Sequence, residues 1–255
     1  MKKLTIIIAA LLLCSTPVLA ATDGGKATMS LGYNYSQGDY GQASDTKVHY
    51  VPATVKYKWG EWTAKLIVPW IQITGPGVVV GDVPVGAPRP VGTESGLGDV
   101  NVSLAWTHVL NTKGTTLEIT GISKIPTADE DKRLGTGLWD ETLQAGLIQP
   151  LGNWFVMGNV GYKWNGDNAS FPLDNVWKGT VGGGYRFNAA TSAGVIYDYR
   201  EKQSAMGDPL NLATAFVSHD FGEGFSAQLY GSAGFSNASP DGAIGIQFNK
   251  EFDLF

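Results

Sequence analysis

Apolar side chains recur at every second position along most of this chain, and this spacing limits its possible folds more than any other feature. The segment Val55–Trp70, VKYKWGEWTAKLIVPW, shows the pattern clearly. If Gly60-Glu61 is a two-residue hairpin loop, Trp59 pairs with Trp62 and the apolar residues of both strands share one face. The spacing therefore predicts an antiparallel hairpin with one apolar and one polar face.

The polar face of this hairpin indicates contact with water. The same register places Lys56 opposite Lys65, and like charges directly opposite each other destabilise a packed pair unless water fills the space between them. It also places Pro52 opposite Pro69, neither of which can donate to a ladder. The pairing is expected to loosen there, or the register to slip.

The same alternation predicts twelve strands in a single all-β domain. No apolar segment of about 20 residues follows the N-terminal region, so any insertion into a membrane must use strands. An even number of antiparallel strands is typical of bacterial outer-membrane barrels. We therefore expect a transmembrane up-and-down barrel, with outward positions that include Ala27-Met29-Leu31-Tyr33-Tyr35, Val100-Val102-Leu104-Trp106, Leu117-Ile119-Gly121, Leu143-Ala145-Leu147, Val156-Val160-Tyr162, Val181-Tyr185-Phe187, Val195-Tyr197-Tyr199, Phe225-Ala227-Leu229 and Ile244-Ile246-Phe248-Phe252.

The N-terminal residues 1–20 read as a cleaved secretory signal peptide. Lys2 and Lys3 precede the apolar run Leu4–Leu13, and Val18-Leu19-Ala20 resembles a small-residue cleavage site. The apolar run is too short to span a bilayer as a helix. Cys14 is the only cysteine and lies within this segment, so residues 21–255 are expected to form the barrel without disulfides or cysteine metal ligands.

Composition excludes some function classes. Removing the signal peptide lowers the basic count from 18 to 16 against 23 acidic residues, a net charge of about −7, so nucleic acid is not an expected partner. The 34 glycines and 12 prolines fit an all-β chain interrupted by turns.

The tryptophans are expected to form two belts at the membrane interfaces. Short connections alternate with long ones, which predicts periplasmic turns and extracellular loops. An indole has an apolar body and one donor, so it suits the headgroup region, and outer-membrane lipid and lipopolysaccharide are the expected surroundings. The periplasmic belt would comprise Trp59, Trp62, Trp106 and Trp154, and the extracellular belt Trp70, Trp139, Trp164 and Trp177, with none in the middle of a strand.

Positions of opposite parity should face the lumen, where bases outnumber acids. One interpretation is a pathway that favours anions, because rings of charge set selectivity in pores. The alternative is that these residues form ion pairs across the lumen and rigidify a filled barrel. The candidates are Lys56, Lys58, Lys65, Asp99, Glu118, Lys124, Asp140, Lys163, Lys178, Arg186, Asp198 and Arg200.

Two connections stand out. The apolar segment TGPGVVVGDVPVGAPRPVGTESGLG could fold into the mouth and constrict the bore or bind a hydrophobic solute, or it could be a plain loop rich in glycine and proline. The acidic Asp129-Glu130-Asp131 lacks the spacing of a calcium loop, so it is read as solvated charge rather than as a metal site.

Catalysis and cofactors are not expected. Hydrolase chemistry needs a base beside a nucleophile, and His49, His108 and His219 are not flanked by serine or aspartate in a lipase or protease arrangement. The glycines Gly182–Gly184 are not followed by a helix, so they do not form a phosphate cradle and are expected to let the strand bend.

Two motifs resemble a known family. The motifs are SGLGDVNVSLAW (Ser95–Trp106) and KIPTADEDKRLGTG (Lys124–Gly137), and LIVPWIQITG precedes them. They are similar to the outer-membrane family named after the meta-cleavage (MetA) pathway of phenol degradation. The resemblance covers most of the mature chain. It implies a β-barrel transporter, with aromatic or other small hydrophobic compounds as candidate solutes.

The C-terminus, GAIGIQFNKEFDLF, resembles the signal read by the outer-membrane assembly machinery. The phase of alternation predicts that Phe252 closes the last strand and that Asp253-Leu254-Phe255 forms a short tail. Taken together, the sequence predicts a passive outer-membrane channel for small molecules. The alternatives are a closed structural or surface-binding barrel and, less favoured, an outer-membrane hydrolase.

Overall fold

The computed structural model describes residues 24–76, 79–80, 83–84, 92–132, 134–167, 172–204 and 207–254. The expected signal peptide, residues 1–20, lies outside the described residues, as does most of the apolar segment between 77 and 91. Among the described residues, no helix is long and apolar enough to cross a membrane.

Every regular element in the described part of the chain is a β-strand. In chain order the strands are β1 (Gly25–Gly38), β2 (Thr46–Trp59), β3 (Trp62–Gly75), β4 (Val79–Val80), β5 (Val83–Pro84), β6 (Gly92–Leu97), β7 (Val100–Val109), β8 (Thr116–Ile125), β9 (Asp140–Leu151), β10 (Trp154–Trp164), β11 (Val176–Arg186), β12 (Thr191–Arg200), β13 (Leu210–Gly222), β14 (Phe225–Gly234) and β15 (Gly242–Leu254).

The strands form a closed antiparallel barrel of twelve positions, as the alternation predicted. Apart from β4 and β5, which pair only with each other, each strand pairs with the next position around the ring, and β1 pairs with β15 to close it. The short strands β6 and β7 both pair with β3, so together they occupy one position. The end of the barrel with short connections is called the turn end here, and the opposite end the loop end.

The hairpin of β2 and β3 has the register that the sequence predicts. Trp59 pairs with Trp62, Lys56 with Lys65 and Pro52 with Pro69. The pairing neither slips nor ends at the two prolines, and the ladder continues to Lys47 opposite Thr74. From the turn end to the loop end, the same alternate positions of the hairpin face outward.

The exterior is a band of exposed apolar side chains. Leu31, Leu66, Val102 and Leu229, on four different strands, are 58%, 40%, 40% and 53% exposed. Residues of the other parity, such as Thr54, Thr120 and Gln247, are buried in the barrel. Because the apolar surface faces out and the polar surface faces in, the exterior is suited to hydrocarbon.

Glycines on three strands make room for aromatic rings on the inner face. A Cβ at Gly184 would lie 2.5 Å from the Phe155 ring, and one at Gly245 would lie 2.3 Å from the Tyr230 ring. Gly194 stands in the same relation to Phe216. These glycines therefore let the rings occupy space that a Cβ atom would otherwise fill.

One strand departs from regular pairing at the SGLGDVN motif. Trp70 pairs with Leu97 and Ile67 with Asn101, so Val68 and Pro69 lie opposite three residues, Gly98 to Val100. This bulge turns Asp99 inward, where it is buried. At the other end of the chain, β15 continues to Leu254 because Asp253 pairs with Lys26, so the expected end at Phe252 is two residues too early.

Candidate permeation pathway

The lumen candidates lie where the strand parity predicts, on the inner face. Asp99, Lys124, Asp140, Asp198 and Arg200 are buried there. The remaining candidates are partly exposed: Lys56, Lys58, Lys65, Glu118, Lys163, Lys178 and Arg186. The structure brings them into two groups, one nearer the loop end and one nearer the turn end.

An ion triad holds the loop-end group together. Lys124 donates to the Asp140 carboxylate, and the Nζ of Lys163 lies 3.1 Å from the same Oδ2. The backbone N–H of Gly166 also donates to Asp140, at 3.1 Å. A buried carboxylate with these partners is well compensated, so the triad is a structural part of the wall.

Lys178 extends this group into the bore. Its ammonium interacts electrostatically with Lys163, Arg200, Asp198 and Lys65. Asp198, the acid among these, already accepts a hydrogen bond from Thr180 at 2.6 Å. Positive charge therefore exceeds negative charge around Lys178.

The charges of Lys65 and Lys178 interact across the bore. Lys65 lies on β3 and Lys178 on β11, five positions apart in a ring of twelve, so the two side chains start from nearly opposite walls. Their charges nevertheless interact. Within the described residues, Lys56, Lys65 and Lys178 form no ion pair.

The turn-end group contains an acid that the sequence analysis missed. Glu251 lies inward on β15 and bonds Lys26 at 2.7 Å. Its charge also reaches Lys56 and Lys58. Counting parity back from Phe252 would have placed Glu251 in the lumen, so the signal was present.

An apolar cluster covers the wall opposite these lysines. It comprises Phe155, Met157, Ile196 and Phe216, with the partly buried Ile148 and Tyr230 packed against it. The guanidinium of Arg186 lies 5.5 Å from the centre of the Phe155 ring, a cation–π contact. We call the six apolar residues the turn-end cluster; it was not predicted, because a lumen was expected to be polar.

A second apolar cluster closes part of the loop end. Val48, Tyr50, Ile71 and Ile73 point inward, and residues Ala128 and Leu134 of the β8–β9 connection pack on them. Leu134 is only 2% exposed. The connection that folds into the described part of the mouth is thus the one after β8, and we call this group the mouth cluster.

The interior becomes apolar on the loop-end side of Trp70. In this part of the β2–β3 hairpin, Lys47, Gln72 and Thr74 point outward, whereas Ile71 and Ile73 point inward. The polarity of the two faces is therefore inverted above the apolar band. This part of the hairpin packs like a soluble protein, with its core inside.

The tryptophans of both predicted belts lie on the exterior. At the turn end Trp62 pairs with both Trp59 and Trp106, and at the loop end Tyr162 packs edge-on against Trp164 and Trp177 at 5.0 Å. Trp154 and Trp139 are 60% and 55% exposed. Trp70 is not at a strand end, because β3 continues to Gly75.

The three histidines have local partners. His49 Nδ1 lies 2.8 Å from the Tyr33 hydroxyl, and His219 Nδ1 lies 2.9 Å from the Thr191 hydroxyl. His108 stacks on Trp106 and bonds Glu61 in the β2–β3 turn. This hydrogen bond from His108 lowers the pKa of the Glu61 carboxyl below its ordinary value.

Known structures share this architecture. The chain resembles the COG4313 outer membrane channel from Pseudomonas putida F1, with a TM-score of 0.75 and 16% identity over 91% of this chain and 97% of that one. It also resembles the NanC porin (TM-score 0.57, 11% identity, 89% and 100% covered) and the KdgM porin (0.56, 9%, 88% and 99%). At these identities the likeness establishes the fold.

Sequence comparison identifies the family. No curated protein matches the chain. A family model described as "Putative MetA-pathway of phenol degradation" matches residues 35–252, which confirms the resemblance seen in the two motifs. The chain therefore belongs to this MetA-pathway family.

Proposed function

We propose that this protein is a passive outer-membrane channel for small molecules and that the cations of its bore favour anions. The closed antiparallel barrel, its apolar exterior and its indole belts support the location, because a bacterial outer membrane accepts such a surface. Lipid and lipopolysaccharide would surround the barrel, and the outer-membrane assembly machinery would insert it. The proposal assigns no catalytic residue.

One observation carries the preference for anions. Lys56, Lys65 and Lys178 project into the bore, and within the described residues none of them forms an ion pair. Like charges that interact across a bore raise its potential, and charged rings set which ions enter a pore. An anion between these lysines would relieve their mutual repulsion.

Other observations favour a closed structural barrel as the second candidate. The Lys124–Asp140–Lys163 triad pairs its charges within the wall. The turn-end cluster and the mouth cluster also fill part of the interior. A barrel of this strand number lies between small barrels filled with side chains and open porins.

Bilayer recording separates the two candidates. The refolded mature protein is placed in a planar bilayer under a KCl gradient, and conductance and reversal potential are measured. Steady currents with an anion-selective reversal potential are expected. Absence of current through protein that circular dichroism shows to be folded would overturn the channel proposal and support the closed barrel.

A charge reversal tests which side chains set selectivity. Lys65→Glu combined with Arg186→Glu should shift the reversal potential toward cations, because both residues face the bore. Lys113→Glu is the matched control, since Lys113 lies in the exposed turn between β7 and β8. An equal shift in the control, or none in the double variant, would mean that Lys65 and Arg186 do not set selectivity.

A further inference from the structure

Cationic and apolar residues face each other across the bore near the turn end. Lys56 and Lys65 each lie four residues from the Gly60-Glu61 turn. Ile148 and Met157 also lie four residues from their turn, at Gly152-Asn153. Four residues span about 13 Å of strand, so both pairs stand at a similar distance from the turn end.

These two sets lie on opposing walls. The lysines are on β2 and β3, and the turn-end cluster extends from β9 to β14, so the centre of the cluster lies opposite the lysines and its two edges lie three positions from them in the ring of twelve. Ile148 and Tyr230 are its partly exposed members. A solute at this level would therefore meet flexible ammonium groups on one side and an apolar surface on the other.

Nearer the loop end the arrangement is reversed. Cationic side chains now belong to β8–β12, where Lys124, Lys163, Lys178 and Arg200 lie. The apolar residues of the mouth cluster now belong to β2 and β3. Lys65 and Lys178 interact electrostatically across the bore between the two levels, so these two lysines link the cationic side chains of both levels.

We infer that the bore binds a small amphipathic anion, namely a carboxylate attached to an apolar ring or chain. This inference rests on the proposed channel function and names its solute class. The carboxylate contacts the lysines while the apolar body lies against Ile148 and Tyr230. Pockets that bind small ligands typically combine an apolar lining with a few well-placed polar groups, as this bore does.

Other solute classes interact favourably with only one of the two walls. A small hydrophilic anion such as acetate pairs with Lys56 or Lys65 but buries no apolar surface against Ile148. A neutral solute with an apolar body covers that surface but forms no charge pair with Lys56 or Lys65. Burial of apolar area and charge pairing are both available only to the amphipathic anion.

Three probes that carry the charge, the apolar body or both test the inference in the bilayer at pH 7. Cyclohexanecarboxylate carries both features, acetate carries only the charge, and cyclohexanol carries only the apolar body. Cyclohexanecarboxylate should reduce the KCl current at a concentration at least tenfold below that of either other probe. Equal block by acetate or by cyclohexanol would overturn the inference and leave the channel proposal standing.

Two variants locate the site. Lys65→Gln and Ile148→Thr should each weaken block by cyclohexanecarboxylate at least fivefold, because each removes one of the two complementary contacts. Lys113→Gln, in an exposed turn, should leave block unchanged. Unaltered block in both Lys65→Gln and Ile148→Thr, with normal conductance and folding, would also contradict the inference.

A binding measurement separates failure of this inference from failure of the proposed function. If the folded barrel conducts no KCl, isothermal titration of cyclohexanecarboxylate into the detergent-solubilised protein replaces block as the readout. Binding that Lys65→Gln weakens would support the site in a barrel that is not a channel. Absence of binding would overturn the site as well as the channel.

Discussion

The carboxylate of Asp99 accepts a hydrogen bond from the backbone N–H of Ala128 at 3.0 Å. This contact joins the bulge in the SGLGDVN motif to the connection that carries the KIPTADEDKRLGTG motif. Thr127 strengthens the joint, since its hydroxyl donates to the Gly98 carbonyl and accepts from the Val100 N–H, each at 3.0 Å. The two family motifs are thus halves of one structure at the barrel mouth.

Asp99→Ala should loosen the segment that covers the mouth. Removing the acceptor leaves the buried N–H of Ala128 without this partner, at a cost of about 1–3 kcal/mol. We expect faster cleavage of the β8–β9 connection by added trypsin, and larger or noisier currents in bilayers. Asp131→Ala, an exposed change in the same connection, is the control; equal behaviour of the two variants would show that the Asp99 contact does not hold the segment.

A pair of arginine substitutions tests the inward and outward phase of β3. Leu66 is 40% exposed on the apolar exterior, whereas Thr63 faces the bore. An arginine on the lipid face near the midplane costs about 2–4 kcal/mol, so Leu66→Arg should lower the folded fraction in lipid vesicles. Thr63→Arg should fold nearly as well as the wild type. Electrophoretic mobility measures the folded fraction of both variants, and equal tolerance of both changes would contradict the assignment of Leu66 to the outer face and Thr63 to the inner face.

Gly184→Val should destabilise the barrel through a clash with Phe155. The new Cβ would lie 2.5 Å from that ring, and overpacking of this kind typically costs about 1–3 kcal/mol. Gly121→Val is the matched control, because a Cβ at Gly121 meets nothing within 4 Å and β-branched residues favour strands. Urea unfolding in vesicles measures the difference, and comparable midpoints for both variants would contradict the ring-over-glycine packing.

Acid should weaken the turn end through Glu61. Its pKa is lowered in the folded protein by the hydrogen bond from His108, so its contribution to stability is present above the ordinary value of 4.5 and is lost as pH falls through the lowered pKa. Glu61→Gln should therefore lower the urea midpoint at pH 7 more than at pH 3. An identical difference at both pH values would show that the Glu61 carboxylate contributes nothing to folding.

Much of the fold could be predicted because its determinants are local. Alternation with a period of two assigns each residue to the inner or outer face, and a two-residue loop at Gly60-Glu61 fixes the register of β2 against β3. The strand count and the lumen positions follow from the same rule. Even Glu251, which the sequence analysis missed, obeys the parity that assigned the other charges.

The features that depend on closure of the ring could not be predicted. Which inner side chains meet across the bore depends on the stagger of twelve strands, and no local pattern reports it. The electrostatic interaction of Lys65 with Lys178, the turn-end cluster and the packing of Leu134 into the mouth all arise in this way.

The sequence by itself therefore determined an exterior for lipid and an interior with excess lysine, because each strand carries that information in its own alternation. Only the tertiary structure decided which charges interact across the bore and which walls are apolar. The bulge at Asp99 and the rings laid over Gly184 and Gly245 bring distant segments together, and such packing is set by the neighbours that ring closure supplies.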